Sequence, residues 1–163
     1  MTRYYLMLLI LLAFKGFSQT STDDFQLFKD EIHRINSEID FSDKLIFLSV
    51  WKSNDYESRE INKEAYRVYK IYEVAKLKNG EKGTIFISVN LDEDPKNREI
   101  SVSRDNISAD VVYSNASLID LLRIHYNITD SKSTILFDKT GTVQFTNISK
   151  DQVFPSLRNL ITR

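Results

Sequence analysis

Two near-continuous apolar runs limit the folds open to this chain. Lys44–Trp51 and Gly83–Leu91 carry hydrophobic residues at odd and even positions alike. Strand side chains alternate between the two faces of a sheet. Such runs therefore fit strands buried on both faces, in the middle of a sheet covered by helices. The flanking segments supply the helices. Phe25, Phe28, Ile32, Ile35 and Ile39 recur at spacings of three and four over Asp24–Ile39, with Thr22 or Asp23 as N-cap and Asp24 suited to the first turn. Ile61, Ala65, Val68, Ile71, Tyr72 and Ala75 make a second stripe over Asn54–Lys78, stopped by Asn79-Gly80.

The second half of the chain alternates shorter elements. Asp92–Pro95 is a turn with Pro95 at a first helical position, and Lys96–Asp105 reads as a short helix or, through Ile100 and Val102, as a strand. Asp110–Tyr113 is a short strand. Asn115–Tyr126 is a helix with Leu118, Leu121, Leu122 and His125 on one side and Asn115 or Ser117 as cap. Ser133–Phe137 and Thr142–Thr146 form a β-hairpin whose turn needs the positive φ that Gly141 supplies. Ser149–Ile161 closes the chain as a helix, with Val153, Leu157, Leu160 and Ile161 inward and Pro155 in its first turns.

At 163 residues and 42% hydrophobic content the chain is long enough for one domain with its own core, so it needs no disulfides. The net charge of −1 provides no single-sign field for nucleic acid or acidic lipid. The first residues stand apart. Arg3, the apolar run Leu6–Phe14 and the small residues Gly16 and Ser18 follow the three-part pattern of a secretory signal peptide cleaved after Ser18. The run is shorter than the roughly 20 apolar residues of a transmembrane helix. An uncleaved membrane anchor is the other reading, which Lys15 keeps open. The expected division is thus 1–18 as signal peptide and 19–163 as one domain, exported to the periplasm or beyond. Loss of Arg3 and Lys15 would take the net charge from −1 to −3. With no cysteine there is no lipid attachment of the lipoprotein type.

Two short segments carry a resemblance. In Leu45–Glu60 (LIFLSVWKSNDYESRE) a hydrophobic strand runs into Trp51, and a polar turn then opens a long helix. In Ser133–Gly141 (STILFDKTG) a strand leads into an Asp-x-x-Gly turn. With the order of elements, these segments resemble the thioredoxin-like superfamily, nearest its exported bacterial thiol-disulfide oxidoreductases, over roughly residues 24–163. The resemblance implies an α/β three-layer sandwich. Its mixed sheet would have parallel core strands and a C-terminal antiparallel hairpin, with helices on both faces.

The resemblance also implies that Asp55 and Ser58 stand where the family carries its Cys-x-x-Cys pair, and Lys132 about where it carries a cis-proline. Trp51, Asp55, Ser58 and Lys132 are then the degenerate active-site positions. The chain has no cysteine, so thiol-disulfide exchange and thiolate metal binding are excluded. A cis bond before a residue other than proline costs about 2.5–4 kcal/mol, so Ser131-Lys132 is expected to be trans.

The remaining candidates have modest chemistry. Asp55 reads as the N-cap of the long helix, or, with Lys132 and Arg59, as part of a polar site in the old groove. His33 and His125 lie far apart in sequence and lack a His-x-x-x-His partner, so no metal site is expected. Asp92, Glu93 and Asp94 lack the spacing of a calcium loop and read as a solvated turn. No phosphate-binding glycine loop and no Gly-x-Ser-x-Gly elbow is present, and no cofactor is expected. Tyr66, Tyr69 and Tyr72 follow Tyr56 along the long helix. They are either packing residues or, at Tyr56, Tyr66 and Tyr69, an exposed aromatic face for a partner. Two functional expectations follow. One is a redox-inactive module that binds a protein or peptide of the cell envelope. The other is a non-redox enzyme reusing the groove around Asp55 and Lys132.

Overall fold

The computed structural model describes residues 22–78 and 80–160. The expected signal peptide, the Asn79 half of the helix stop and the inward placement of Ile161 lie outside the described residues. The first helix, α1 (Thr22–Ile35), buries Phe25, Phe28 and Ile32. It ends four residues before Ile39. Asn36 still donates its N–H to the Ile32 carbonyl, but its side chain then accepts from the Glu38 N–H and bends the chain away. Ile39 packs against the core from that loop.

Strand β1 (Leu45–Trp51) is buried at every position. It divides its side chains between two cores. Ile46, Leu48 and Val50 join Phe28, Leu118 and Leu122 on one face, while Leu45 and Phe47 join Ala65, Val68, Val153 and Leu157 on the other. Helix α2 (Tyr56–Tyr72) covers the second face, and β2 (Thr84–Asn90) pairs parallel with β1 from Leu45↔Thr84 to Trp51↔Asn90.

The periodicity predicts α2 as far as Lys78, but the helix stops at Tyr72. The chain beyond it instead doubles back. Lys76 bridges Lys82, and the Leu77 N–H donates to the Glu81 carbonyl at 2.9 Å. This brings Leu77 into the core on the α2 side. Gly83 makes the close return possible. It has φ +103°, and a Cβ there would lie 2.1 Å from the Glu73 carbonyl oxygen.

Lys96–Asp105 is helical: α3 (Pro95–Asp105) starts at Pro95, and the Asp94 carboxylate caps it through the Lys96 N–H. A single 3₁₀ turn, Ala109–Val111, precedes the two-residue β3 (Val112–Tyr113). Then come α4 (Ala116–Tyr126), β4 (Thr134–Phe137), β5 (Val143–Thr146) and α5 (Lys150–Arg158). Pro155 is the sixth residue of α5, in its first turns as expected, but far enough in that its missing N–H removes one helical bond. The sheet order is β3-β2-β1-β4-β5. The pairs among β1, β2 and β3 are parallel, while β4 is antiparallel to both β1 and β5. Lys44–Val50 and Thr84–Val89 are thus adjacent inside the sheet, with β1 paired on both sides and β2 paired on its outer side at Ser88 and Val89. Among the described residues no helix is long and apolar enough to cross a membrane.

Candidate functional site

Parallel strands β1 and β2 end side by side, and the turn between β1 and α2 sits at their C-terminal ends. Trp51 closes β1 with its side chain fully buried against Val102 of α3 and Ile107. Its indole N–H donates to the Ser88 hydroxyl at 2.8 Å, and that hydroxyl donates to Oδ1 of Asn62 on α2 at 2.9 Å. The turn itself is tied to the end of β2. The Leu91 N–H donates to the Trp51 carbonyl at 2.9 Å, and the Ser53 N–H donates to the Asp92 carboxylate at 3.1 Å. The Ser53 hydroxyl and the Asn90 side-chain amide donate to the same carboxylate. Asp92, read from sequence as part of a solvated turn, is therefore a structural acceptor. Asp94 is another, as the cap of α3.

Asp55 is the N-cap of α2. Its Oδ1 accepts from the N–H groups of Glu57 and Ser58 at 3.1 and 3.3 Å, and its Oδ2 accepts from the Ser131 hydroxyl at 2.7 Å. Partial burial pushes the carboxyl pKa up. The Ser131 hydroxyl, the Ser58 N–H, the Lys132 charge and the Glu57 N–H outweigh that, and the pKa lies below its ordinary value. Ser58 is buried. Its hydroxyl accepts from the Lys52 N–H at 3.2 Å and donates to the Asp55 carbonyl at 3.1 Å. The two side chains that the resemblance would match to a dithiol thus serve as a cap and a turn brace.

Lys132 approaches from the loop before β4. Its ammonium pairs with Glu57 at 2.6 Å, not with Asp55, and this partner raises the lysine above its ordinary range. No peptide bond among the described residues is cis, so Ser131-Lys132 is trans. Arg59, the third member of the polar site weighed from sequence, turns to α3. It forms a two-pronged pair with Asp105 at 2.5 and 3.1 Å, the two side chains only 13% and 6% exposed.

A cleft of about 250 Å³ opens beside the turn, lined by Ser53, Asn54, Asp92, Asn97, Ile100 and Arg104. Tyr56 stands free at the start of α2, 73% exposed. Tyr66 and Tyr69 do not join it. Both are half-buried and pack on Phe86 at centroid distances of 5.9 and 6.0 Å, and Tyr72 packs on Phe154. His33 lies against Phe41 and Ile39, and His125 bonds Asp24 at 2.6 Å. Among the described residues no group of three imidazoles and carboxylates converges to hold a metal ion.

This arrangement offers little chemistry. General acid–base catalysis needs a titratable group within hydrogen-bond reach of a substrate proton. Asp55 is occupied on both oxygens, the Ser58 hydroxyl is buried, and Lys132 and Arg59 are each paired elsewhere. Of the residues that organise the turn, Asn62, Ser88, Asp105 and Ser131 have no role in the sequence reading, and Asp92 has a different one. One signal for them existed: Asn62 and Ser88 are polar residues placed on otherwise apolar faces.

No family model matches the chain, and no curated protein matches it. Solved structures do. The solution structure of a thiol:disulfide interchange protein from a Bacteroides species superposes with a TM-score of 0.61 at 15% identity, covering 74% of this chain and 75% of that one. The thioredoxin domain of a thiol-disulfide oxidoreductase from Bacteroides vulgatus gives 0.59 at 16%, covering 75% and 82%. A secreted disulfide oxidoreductase from Mycobacterium tuberculosis gives 0.56 at 15%, covering 74% and 84%. At such identities the likeness establishes the fold. The chain has a thioredoxin-like fold and no cysteine with which to perform thiol chemistry.

Proposed function

We propose that this chain is an exported, redox-inactive thioredoxin-like domain that binds a protein or peptide of the cell envelope through the surface around the β1–α2 turn. The observation that supports this reading is the conversion of the turn into a structural joint. Asp55 and Ser58 spend their polar atoms on the backbone of the turn and on Ser131, while the surroundings stay open: the cleft beside Ile100 and Arg104, and the exposed Tyr56 ring. An aromatic and an aliphatic side chain, exposed beside free hydrogen-bonding groups, suit an interface better than a reaction centre. Export rests on the pattern of residues 1–18.

The test is affinity capture from periplasmic extract with the tagged protein, run beside a Tyr56→Ser/Ile100→Ser variant. A protein retained by the wild type and lost by the variant supports the reading. The same proteins retained by both, or none retained, overturns it. Intact mass of the envelope form should begin at Gln19. Full-length protein in the inner membrane would replace cleavage with an anchor.

A further inference from the structure

We propose that the outer edge of β2 is a strand-addition site for an extended peptide segment carrying basic side chains. β2 has seven residues, but β3 has two and pairs only with Ser88 and Val89. The Leu45 N–H donates to the Gly83 carbonyl, and the Leu91 N–H donates to the Trp51 carbonyl. In a parallel ladder the backbone groups alternate direction. Odd-numbered residues of β2 therefore face β1, while Thr84 and Phe86 turn theirs outward, where no strand meets them. The chain ahead of β3 coils into the 3₁₀ turn instead of continuing along this edge.

A groove of about 310 Å³ follows the unpaired stretch and is lined from both sides of the sheet. Thr84, Phe86 and Tyr69 line it on the α2 side, Ile85 and Tyr113 on the α1 side. It thus occupies the place of a missing strand. Thr84 lines it with a hydroxyl that is buried, the residue 3% exposed, and has no hydrogen-bond partner. Buried polar groups almost always have partners. An incoming backbone would supply one and would also pair the outward groups of Thr84 and Phe86.

The rim sets the charge of the occupant. Glu38, Asp40, Glu73 and Asp110 lie along the groove against two cations: Lys44, whose ammonium donates to the Lys82 carbonyl, and Lys70, which pairs with Glu73 at 2.7 Å, so the carboxylates remain in excess. A second copy of this chain would bring the same carboxylates edge to edge, which disfavours self-pairing. The groove lies at the N-terminal end of β2, the end of the sheet away from the Ser53–Ser58 turn, so it does not depend on the binding role proposed there.

The test is titration of the isotope-labelled protein with the capped heptapeptide Val-Lys-Val-Lys-Val-Lys-Val, followed by backbone amide shifts. Shifts are expected at Thr84–Phe86 and Val111–Tyr113. Affinity should fall about tenfold or more with Glu73→Lys/Asp110→Lys, whose fold is checked by circular dichroism, and with a peptide in which Glu replaces Lys. Of two peptides N-methylated at alternate amides, one should lose binding and the other keep it. Equal binding of both, or the same shifts from lysine amide alone, would leave a cation pocket and overturn strand addition. Concentration-dependent shifts without peptide would make the edge a self-interface and overturn it too. Shifts confined to Ser53–Ser58 would overturn this proposal while supporting the turn as the binding surface. No shift at any peptide concentration would overturn it outright.

Discussion

The indole N–H of Trp51 donates to the hydroxyl of Ser88 at 2.8 Å, across two adjacent central strands and with both side chains fully buried. Through Ser88 the bond continues to Asn62, so the end of β1, the middle of β2 and the second turn of α2 are held by one short polar chain. Removing its middle link strands an indole donor in the core. Ser88→Ala is expected to lower stability by about 1–3 kcal/mol, the cost of a buried donor left unpaired. Urea unfolding followed by the fluorescence of the single tryptophan measures this directly, and an unchanged midpoint would show the bond to be idle.

The Arg59–Asp105 pair joins α2 to the end of α3 with little access to water. Taking away one partner leaves the other charge buried, so Asp105→Ala should cost about 3–5 kcal/mol. A double Arg59→Met/Asp105→Leu replacement should recover most of that loss, because the cost lies in the uncompensated charge. Chemical denaturation of the three proteins decides the matter, and a double variant as weak as the single one would contradict the argument.

Asp55 makes stability depend on pH in a defined direction. Its carboxyl pKa is depressed in the folded protein, so the unfolded state binds the proton more readily. The contribution is fully present above the unfolded value and is lost as pH falls through the lower folded one. Asn at this position still caps a helix but does not titrate. Thermal unfolding of wild type and Asp55→Asn across the acid range should therefore show a stability gap that closes as the pH drops. A gap independent of pH would mean that the Asp55 charge adds nothing beyond the cap.

The chain should be silent in insulin reduction with dithiothreitol, since exchange needs a thiolate attacking a disulfide sulfur. Asp55→Cys/Ser58→Cys places thiols at the first turn of α2, where the helix terminus favours a thiolate. This variant should form an internal disulfide and gain weak activity, weak because the trans Ser131-Lys132 bond remains. Activity in the wild type would refute the inactive reading. Failure of the two cysteines to pair would refute their placement.

The sequence by itself determined the central sheet and its helical cover. An apolar run with no alternation, as in Lys44–Trp51, can be satisfied only between two hydrophobic layers, and the periodic stripes of α1, α2, α4 and α5 are those layers. The Asp138–Gly141 turn and Pro95 at a first helical position were also legible, because turns and helix starts are local chemistry, whereas the Asp94 cap and the choice of helix over strand for Lys96–Asp105 were not. What tertiary structure decided was every contact between segments distant in the chain. Leu77 leaves the helical period of α2 because burying it in a hairpin gains more than extending an exposed helix would. Tyr66 and Tyr69 share a helix with Tyr56 but pack on Phe86, because the sheet passes under only part of that helix. Asp92 holds Ser53, and Ser131 reaches Asp55, across gaps of 39 and 76 residues. No local pattern encodes such pairs. The first arises because the parallel strands β1 and β2 end side by side, the second because antiparallel β4 begins beside the end of β1, and each brings polar groups at the strand tips within hydrogen-bonding reach.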